Sequence, residues 1–168
     1  MPFNLTSRRT FIAATGVAAA MPLLASCGGS GTEFRKERSF RISKTEGQWR
    51  RQLTREEFRI LREAETERAY TSPLNDEKRR GIYKCAGCGN RLYSSAHKYD
   101  SGTGWPSFWQ PIDNGAVGTS VDYKIGYPRT EVHCADCGGH LGHIFGDGPR
   151  PTGKRHCING VAMDFVPA

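Results

Sequence analysis

From about residue 82 onward, hydrophobic and polar residues alternate in short runs that glycines interrupt. A period of two residues is typical of half-buried β-strands, because successive side chains point to opposite faces. The runs are GIYKC, RLYSS, VGTSVDYKIGY, TEVHC, LGHIF and CINGVAMDFV, and Asp113-Asn114-Gly115 predicts a hairpin turn. The pattern therefore predicts that this part of the chain is antiparallel β-sheet.

One amphipathic helix is predicted before these strands. Thr54 and Glu57 form the pattern of a capping box, in which each side chain binds a free backbone N–H of the first turn. The helical run extends to about Ala69 and places three apolar residues on one face: Phe58, Leu61 and Ala64. The stretch TSPLNDEKRRG is rich in turn residues and separates this helix from the strands.

The N-terminus predicts an export signal. SRRTFI, residues 7–12, resembles a twin-arginine signal, and LASC, which ends at Cys27, resembles the lipobox at which bacterial prolipoproteins are cleaved and diacylated. We therefore expect a signal peptide over residues 1–26, a flexible leash over 27–44 and one domain over 45–168. A permanent membrane span is the alternative, but the apolar run from Phe11 to Ala25 is shorter than the roughly 20 residues that a bilayer requires.

These signals predict a location on the periplasmic side of the bacterial cell envelope, with the membrane as a partner through a lipid on Cys27. The composition, 37% hydrophobic and 10% aromatic in 168 residues, fits one soluble domain. Without Arg8 and Arg9 the formal charge of +7 becomes +5, and these charges are spread along the chain. Because no basic tract alternates with aromatic residues, we do not expect a nucleic-acid partner.

Two C-x-x-C-G motifs predict a metal site. Cys85 and Cys88 form the first motif, Cys134 and Cys137 form the second, and 45 residues lie between them. Four thiolates in two such turns suit one tetrahedral Zn²⁺, and a site closed by four cysteines is structural rather than catalytic. Two alternatives stay open, since paired cysteines of an exported protein also form disulfides and a C-x-x-C pair also exchanges thiols.

With those cysteines assigned, Cys157 is the remaining thiol. A lone cysteine is often an inert, buried residue. However, Arg155 and His156 precede it, and positive charge nearby lowers the pKa of a thiol and makes it a better nucleophile.

Several long motifs now carry a resemblance to a family. SGTGWPSF, GGHLGHIFGDGP and RHCING, together with both C-x-x-C-G motifs, closely resemble the B-type peptide methionine sulfoxide reductases, which act on the R epimer at sulfur. The similarity covers about residues 45–167. It implies a mainly β fold of the Mss4-like or β-tent type, with two small antiparallel sheets packed face to face, a short helical N-terminal part and a zinc distant from the active site.

The resemblance also implies the roles of the site residues. Cys157 matches the nucleophile, and Trp105 matches the indole that packs on the S-methyl group of the substrate, in an apolar pocket to which Phe145 contributes. The polar groups that hold the sulfoxide oxygen, directly or through water, match His140, His143 and Asn159. A sulfoxide oxygen leaves only after it is protonated, so a thiolate needs a nearby acid, for which we choose His143. Cys157 then becomes a sulfenic acid.

Two positions depart from the family pattern: His156, where a tyrosine is common, and Thr103, which bears on the chemistry. Many members have a second, resolving cysteine where this chain has Thr103, and threonine forms no disulfide. The expected partners are therefore oxidised protein or peptide substrates and an external, thioredoxin-like thiol reductant. Two further function classes remain as alternatives: a zinc-ribbon module that binds a macromolecule without chemistry, and a thiol-disulfide exchanger that uses the C-x-x-C pairs. Without the resemblance, Trp105 fits a core residue, and His140 and His143 fit surface residues or further metal ligands.

Overall fold

The structure, a computed structural model, describes residues 39–168. The predicted signal peptide, the lipobox with Cys27, and residues 27–38 of the predicted leash lie outside the described residues. Between residues 39 and 168, no helix is both long enough and apolar enough to cross a membrane.

Two short helices begin the domain. Helix α1 spans Glu46–Gln52 and helix α2 spans Arg55–Glu63, and each starts with a complete capping box, from Thr45 to Gln48 in α1 and from Thr54 to Glu57 in α2. The capping box at Thr54 was predicted, but the helix was wrongly extended to Ala69. It ends earlier because Ala64 adopts a left-handed conformation, with φ of 52°, which turns the chain away from the helix axis.

Nine strands follow, and all their pairings are antiparallel. They are β1 Gly81–Cys85, β2 Arg91–Ser94, β3 Lys98–Tyr99, β4 Ser107–Phe108, β5 Val117–Asp122, β6 Arg129–Cys134, β7 His140–Phe145, β8 Arg155–Ile158 and β9 Met163–Pro167. They form a three-stranded sheet in the order β2-β1-β9 and a six-stranded sheet in the order β3-β4-β8-β7-β6-β5. Three short 3₁₀ helices accompany them: Pro73–Asn75 before β1, Ser95–His97 between β2 and β3, and Gly160–Ala162 between β8 and β9.

The two sheets meet through a core of aromatic side chains. Tyr93 of the smaller sheet stacks on Phe108 of the larger sheet with ring centroids 4.4 Å apart, and Tyr83 contacts the same ring edge-on at 4.9 Å. All three side chains are fully buried. The predicted fold, mainly β with two facing antiparallel sheets and a short helical N-terminal part, is thus confirmed.

The predicted hairpin turn at Asp113-Asn114-Gly115 is wrong. The chain does turn there, and the Asp113 carboxylate accepts a hydrogen bond from the Gly115 amide at 2.8 Å. However, the strands on either side are not paired, because β4 lies between β3 and β8 whereas β5 pairs with β6 at the edge of the larger sheet. The turn therefore lies near the end of the connection that leads from β4 to the edge strand β5.

Residues just before helix α1 already contact the domain. The Ile42 amide donates to the Asp136 carbonyl at 2.8 Å, and the ring of Phe40 lies edge-on to His133 with centroids 5.8 Å apart. The boundary at residue 45 between leash and domain stays a prediction, but within residues 39–168 Phe40 already contacts the second cysteine motif.

Candidate active site and metal centre

Cys157 lies in a line of side chains that crosses the whole larger sheet. The register pairs Cys157 with Ser107 of β4 on one side and with His143 of β7 on the other. Beyond His143 the line continues through Glu131 of β6 to Ser120 of the edge strand β5. Beyond Ser107 it ends at Tyr99 of the opposite edge strand, β3. Directly paired residues project from the same face of a sheet. Each strand therefore contributes one side chain to this line: Tyr99, Ser107, Cys157, His143, Glu131 and Ser120.

A β-bulge brings a second histidine to this face. Residues three apart on a regular strand point to opposite faces, so His140 and His143 would be separated. The pairing of β6 with β7 shifts by one residue, since Val132 pairs with Gly142 but His133 pairs with His140. Leu141 is the extra residue. As a result, the two imidazole rings lie together, with centroids 5.4 Å apart.

The thiol of Cys157 is partly buried. Burial raises its pKa above the ordinary value, although Thr103 and the guanidinium of Arg155 act in the opposite direction. From the sequence, the neighbouring positive charge was expected to lower the pKa of this thiol. The structure instead places burial first, so the protonated thiol is the favoured form before a substrate binds.

A chain of hydroxyl groups leads to this sulfur. The Thr103 hydroxyl lies 3.9 Å from the Cys157 Sγ atom and 2.8 Å from the Ser101 hydroxyl, which in turn lies 2.7 Å from the Ser107 hydroxyl. If each hydroxyl donates to the next, the last donor points at Cys157. At the position where the family resemblance predicts a resolving cysteine, this chain thus has a hydroxyl group that can donate a hydrogen bond.

His143 is held by a carboxylate. Its Nε2 atom donates to Asp122 at 2.8 Å, so Nδ1 is the acceptor of the neutral ring. Burial lowers the pKa of His143, and Asp122 only partly offsets this effect. Although burial alone would raise the pKa of Asp122, hydrogen bonds from the Lys124 amide, His143 and Arg129 lower it to about 2. The pair is therefore a neutral imidazole and a carboxylate at neutral pH.

His140 is oriented in a similar way. Its Nδ1 atom lies 2.8 Å from the Glu131 carboxylate, which also accepts a hydrogen bond from the Ser120 hydroxyl. The Nε2 atom of His140 is buried and has no hydrogen-bond partner between residues 39 and 168. A buried polar atom normally has a partner. Because Nδ1 donates to Glu131, Nε2 is the acceptor of the neutral ring, and the contact of His140 with a sulfoxide oxygen stays a prediction.

Trp105 and Asn159 are both tied to Glu67. The indole N–H of Trp105 donates to the Glu67 carbonyl at 3.1 Å, and the Glu67 amide donates to the Asn159 side-chain oxygen at 3.0 Å. The buried Glu67 carboxylate accepts hydrogen bonds from the amides of Gly160 and Val161. The Asn159 amide nitrogen donates to the Leu141 carbonyl at 2.9 Å. Asn159 therefore braces the fold beside Cys157, and its contact with a sulfoxide oxygen stays a prediction.

Phe145 lies at the exposed end of the same face. Its partner in the register is Arg155, whose guanidinium lies over the ring at 4.4 Å and forms two hydrogen bonds, of 2.9 and 2.8 Å, to Asp147. The ring is 37% exposed. It is open to an apolar group that approaches Cys157 from solvent.

Three carboxylates that orient the predicted site residues were not predicted from the sequence: Glu67, Asp122 and Glu131. Each lies outside the motifs that were recognised, and Glu67 belongs to a charged stretch, REAETER, that reads as a solvated helix face. Only the early end of helix α2 and the pairing of β5 with β6 bring these carboxylates inward. The sequence around them contains no periodic signal of that burial.

The four cysteines of the C-x-x-C-G motifs form one cluster. Their sulfur atoms all lie within 4.8 Å of one another, with Cys85 3.8 Å from Cys137 and Cys88 3.5 Å from Cys134. These separations exceed a disulfide bond of about 2 Å. Around a tetrahedral zinc with Zn–S bonds of about 2.3 Å, neighbouring sulfurs lie about 3.8 Å apart. The cluster therefore fits a metal ion.

The glycine after each motif has the backbone expected of it. Gly89 and Gly138 have φ of 76° and 68°, and their amides donate to the carbonyls of Cys85 and Cys134 at 2.7 and 2.9 Å. A Cβ atom at Gly138 would also lie 2.2 Å from the ring of Phe40. Only glycine adopts this conformation freely, so the tight turns that gather the sulfurs depend on these two positions.

Comparisons with known proteins identify the family of this chain. The family model described as SelR domain matches residues 53–167. A protein of Leptospira interrogans, named peptide methionine sulfoxide reductase MsrB, is 49% identical over 76% of this chain and 97% of its own length. Proteins of the same name from Agrobacterium fabrum and Thiobacillus denitrificans are 50% and 51% identical, over 76% and 74% of this chain and 94% of each relative. The chain therefore belongs to the SelR domain family.

Proposed function

We propose that this protein is a thiol-dependent reductase of methionine sulfoxide residues in proteins, with Cys157 as the nucleophile and preference for the R epimer. The relatives that share about half of its sequence are named peptide methionine sulfoxide reductases. The observation that carries the proposal is the placement of Cys157 in register with His143, on a face that also holds His140 and the hydroxyl of Thr103.

The first step transfers one oxygen atom. The Cys157 sulfur attacks the sulfoxide sulfur and forms a transient S–S bond. The oxygen then migrates to Cys157: the S–S bond and the S–O bond of the substrate break, and a new S–O bond forms at the Cys157 sulfur. The substrate sulfur is reduced by two electrons and leaves as methionine, and the Cys157 sulfur is oxidised to a sulfenic acid. The thiol proton ends on the sulfenic acid oxygen, so the step needs no other co-reactant.

His143 moves that proton. Because burial lowers its pKa, the ring is neutral before the reaction. Its Nδ1 atom is left as an acceptor by the bond to Asp122, and we assign to it the proton of Cys157, the residue that pairs with His143 in the register. The imidazolium that forms is stabilised by the Asp122 carboxylate and then protonates the sulfoxide oxygen. A neutral histidine beside a protonated thiol is thus the starting state for the acid role that we assign to His143.

Trp105 and Phe145 position the substrate. The indole of Trp105 is fixed by its bond to the Glu67 carbonyl, so it offers a rigid apolar surface to the S-methyl group. The substrate sulfur carries an oxygen and a methyl group. The histidines would bind the oxygen, and the apolar rings of Trp105 and Phe145 would contact the methyl group, so one epimer fits better than the other. The epimer preference that we propose arises from this arrangement.

The oxidised Cys157 is resolved from outside the domain. Thr103 forms no disulfide, and the other described cysteines form the metal cluster. Two thiols of an external, thioredoxin-like reductant supply the electrons: the first displaces water and forms a mixed disulfide, and the second releases Cys157 as a thiol. The Thr103 hydroxyl meanwhile hydrogen-bonds the sulfur and favours its thiolate form.

The metal is a structural Zn²⁺ held by Cys85, Cys88, Cys134 and Cys137. Four sulfur donors at tetrahedral spacing fill its coordination sphere, so zinc would neutralise thiolate charge and hold the two motifs together without touching the substrate. Export and lipid attachment at Cys27 also belong to the proposal, on the sequence pattern alone. Labelling of the wild type by palmitate, lost in Cys27→Ser, tests the attachment.

The test of the activity is incubation of the purified protein with a peptide that contains either the R or the S epimer of methionine sulfoxide, with dithiothreitol as the reductant. We expect methionine from the R epimer only. Without the reductant, mass spectrometry should find one added oxygen or a trapped adduct at Cys157. Turnover of neither epimer, or an unmodified Cys157 after exposure to substrate, would contradict the proposal, and activity that persists in Cys157→Ser would favour another function.

A further inference from the structure

The hairpin that joins β5 to β6 exposes three large apolar side chains. Tyr123, Ile125 and Tyr127 are 67%, 49% and 58% exposed, and all lie within five residues. The hairpin is a defined turn, since the Gly126 amide donates to the Tyr123 carbonyl at 3.0 Å. Concentrated apolar exposure on a protein surface commonly marks a binding site.

The base of this hairpin is bonded to the active site. Asp122, the last residue of β5, accepts hydrogen bonds from His143 at 2.8 Å, from Arg129 at 2.6 Å and from the Lys124 amide at 2.7 Å. The hairpin is therefore anchored to the histidine that we assign to proton transfer, and its position relative to Cys157 is fixed by side chains as well as by the sheet.

A second contact holds the tip of the hairpin near the substrate-positioning residues. The Lys124 ammonium donates to the Ala64 carbonyl at 3.0 Å. Three residues further along the chain, the Glu67 carbonyl accepts the indole N–H of Trp105. The exposed ring of Phe145 lies at the same end of the sheet, since Ile144, which precedes it, pairs with Thr130, which follows Arg129. The hairpin and the residues that we assign to substrate positioning thus lie at one end of the sheet and are joined by hydrogen bonds.

We propose that the surface formed by Tyr123, Ile125 and Tyr127 binds apolar residues that flank the oxidised methionine of an unfolded polypeptide. This inference rests on the proposed function, because the occupant must reach Cys157 with a methionine sulfoxide. Methionines lie mostly in protein interiors, so their sequence neighbours are often apolar and become accessible when the protein unfolds. Rigid aromatic side chains supply large contact area to such a segment at low entropic cost.

The proposal makes the enzyme prefer one kind of substrate. An extended segment with apolar residues beside the methionine sulfoxide would contact both the reaction centre and the hairpin. A free amino acid derivative, or a peptide with glycine and serine at the flanking positions, would contact the reaction centre alone. The hairpin therefore contributes to KM for the first substrate only, while kcat for all three depends on Cys157 and His143.

The experiment compares three substrates of the R epimer: N-acetylmethionine sulfoxide, a peptide with leucine and valine flanks, and one of equal length with glycine and serine flanks. The variant is Tyr123→Ser/Ile125→Ser/Tyr127→Ser. We expect kcat/KM for the apolar peptide to fall about tenfold through KM, the size expected when buried aromatic contacts are lost, with the other two substrates unchanged.

Two controls separate binding from structure. Val121→Ser removes an exposed apolar side chain from β5 itself, outside the proposed surface, and should change none of the three values. Tyr123→Leu/Tyr127→Leu keeps apolar contact and should retain most of the preference. An equal fall for all three substrates would overturn the inference, because the hairpin would then only support His143. So would a wild type that treats both peptides alike, whereas a wild type inactive on every substrate would refute the proposed function itself.

Discussion

At the scale of single residues, Thr103 is the position where this chain departs from the pattern that it otherwise follows. Its hydroxyl lies 3.9 Å from the Cys157 sulfur at the end of a chain of hydroxyl groups. A donor that binds a thiolate stabilises the charged form and lowers the pKa of the thiol. The residue that prevents an internal disulfide therefore also promotes the first step.

Replacing the threonine hydroxyl by a methyl group tests this role. Thr103→Val should raise the pKa of Cys157 further above its ordinary value and slow its alkylation by iodoacetamide at pH 7.5 by about threefold to tenfold, because one charge-assisted hydrogen bond is lost. Thr103→Ser keeps the donor and is the matched control. Alkylation rates that are equal in all three proteins, measured from pH 6 to 10, would show that the hydroxyl does not act on the sulfur.

His156 is expected to make stability depend on pH. It is buried, its Nδ1 atom lies 3.1 Å from the Tyr93 hydroxyl, and burial lowers its pKa from 6.5 to about 4. Below pH 6.5 the unfolded chain binds a proton that the folded protein does not, so stability decreases until about pH 4. The full difference corresponds to about 3 kcal/mol. Urea unfolding at several pH values measures it, and His156→Tyr should show a smaller decrease over this range.

The clustering of the four C-x-x-C-G cysteines could be predicted because residue type and close spacing indicate it. The role of Cys157 as nucleophile stays a prediction. The carboxylates that orient the histidines could not be predicted. Asp122 and Glu131 lie on neighbouring strands, and their approach to His143 and His140 depends on register and on a bulge. Glu67 contacts Asn159 and Gly160, which lie more than 90 positions away in the sequence, so the local sequence pattern around Glu67 could not predict these contacts.

At the scale of elements, prediction succeeded where a run was long enough to show its period. β1 matches the predicted run GIYKC, whereas β3 and β4 have two residues each, too few for alternation to be visible. Helix α1 was missed although Thr45 and Gln48 repeat the capping pattern of α2, because seven residues hold little periodic signal. The early end of α2 depends on tertiary contacts of the segment that follows.

The bulge in β7 yields a prediction about the approach of two strands. A Cβ atom at Gly142 would lie 2.0 Å from the Cys157 carbonyl, so Gly142→Ala must push β8 away from β7. We expect a loss of about 1–3 kcal/mol in the free energy of unfolding, as overpacking typically costs, and a larger loss of activity. Gly146→Ala, where no atom lies within 4 Å, is the control in urea unfolding and activity assays. Equal values for both variants would contradict the steric argument.

At the scale of the whole molecule, the cysteine cluster joins the two sheets. Cys85 ends β1 of the smaller sheet and Cys134 ends β6 of the larger sheet, and their motifs meet in one group of sulfurs. Helix α2 covers this junction, since Leu61 lies against Gly87 and Gly139. A bound zinc would thus act as a cross-link between sheets that also meet through aromatic packing and the contact of Tyr93 with His156.

Removal of the metal should therefore affect the whole domain. A chelator used under reducing conditions should release one zinc per chain and lower Tm by more than about 10 °C, because the binding free energy of a structural zinc is also folding free energy. Cys157→Ser should keep both its zinc and its Tm, since this sulfur is not in the cluster. An unchanged Tm after complete loss of zinc would show that the core alone holds the sheets together.

Because the line of side chains through Cys157 crosses six strands, the active site should form only when the whole sheet has folded. Six strands each supply one member, so displacing any strand by one position would turn its member to the opposite face. A partially paired sheet would carry the reactive sulfur without its surroundings. During refolding, recovery of enzymatic activity should therefore lag behind collapse and coincide with the last strand-pairing event. Regained activity would thus indicate that the sheet is completely assembled.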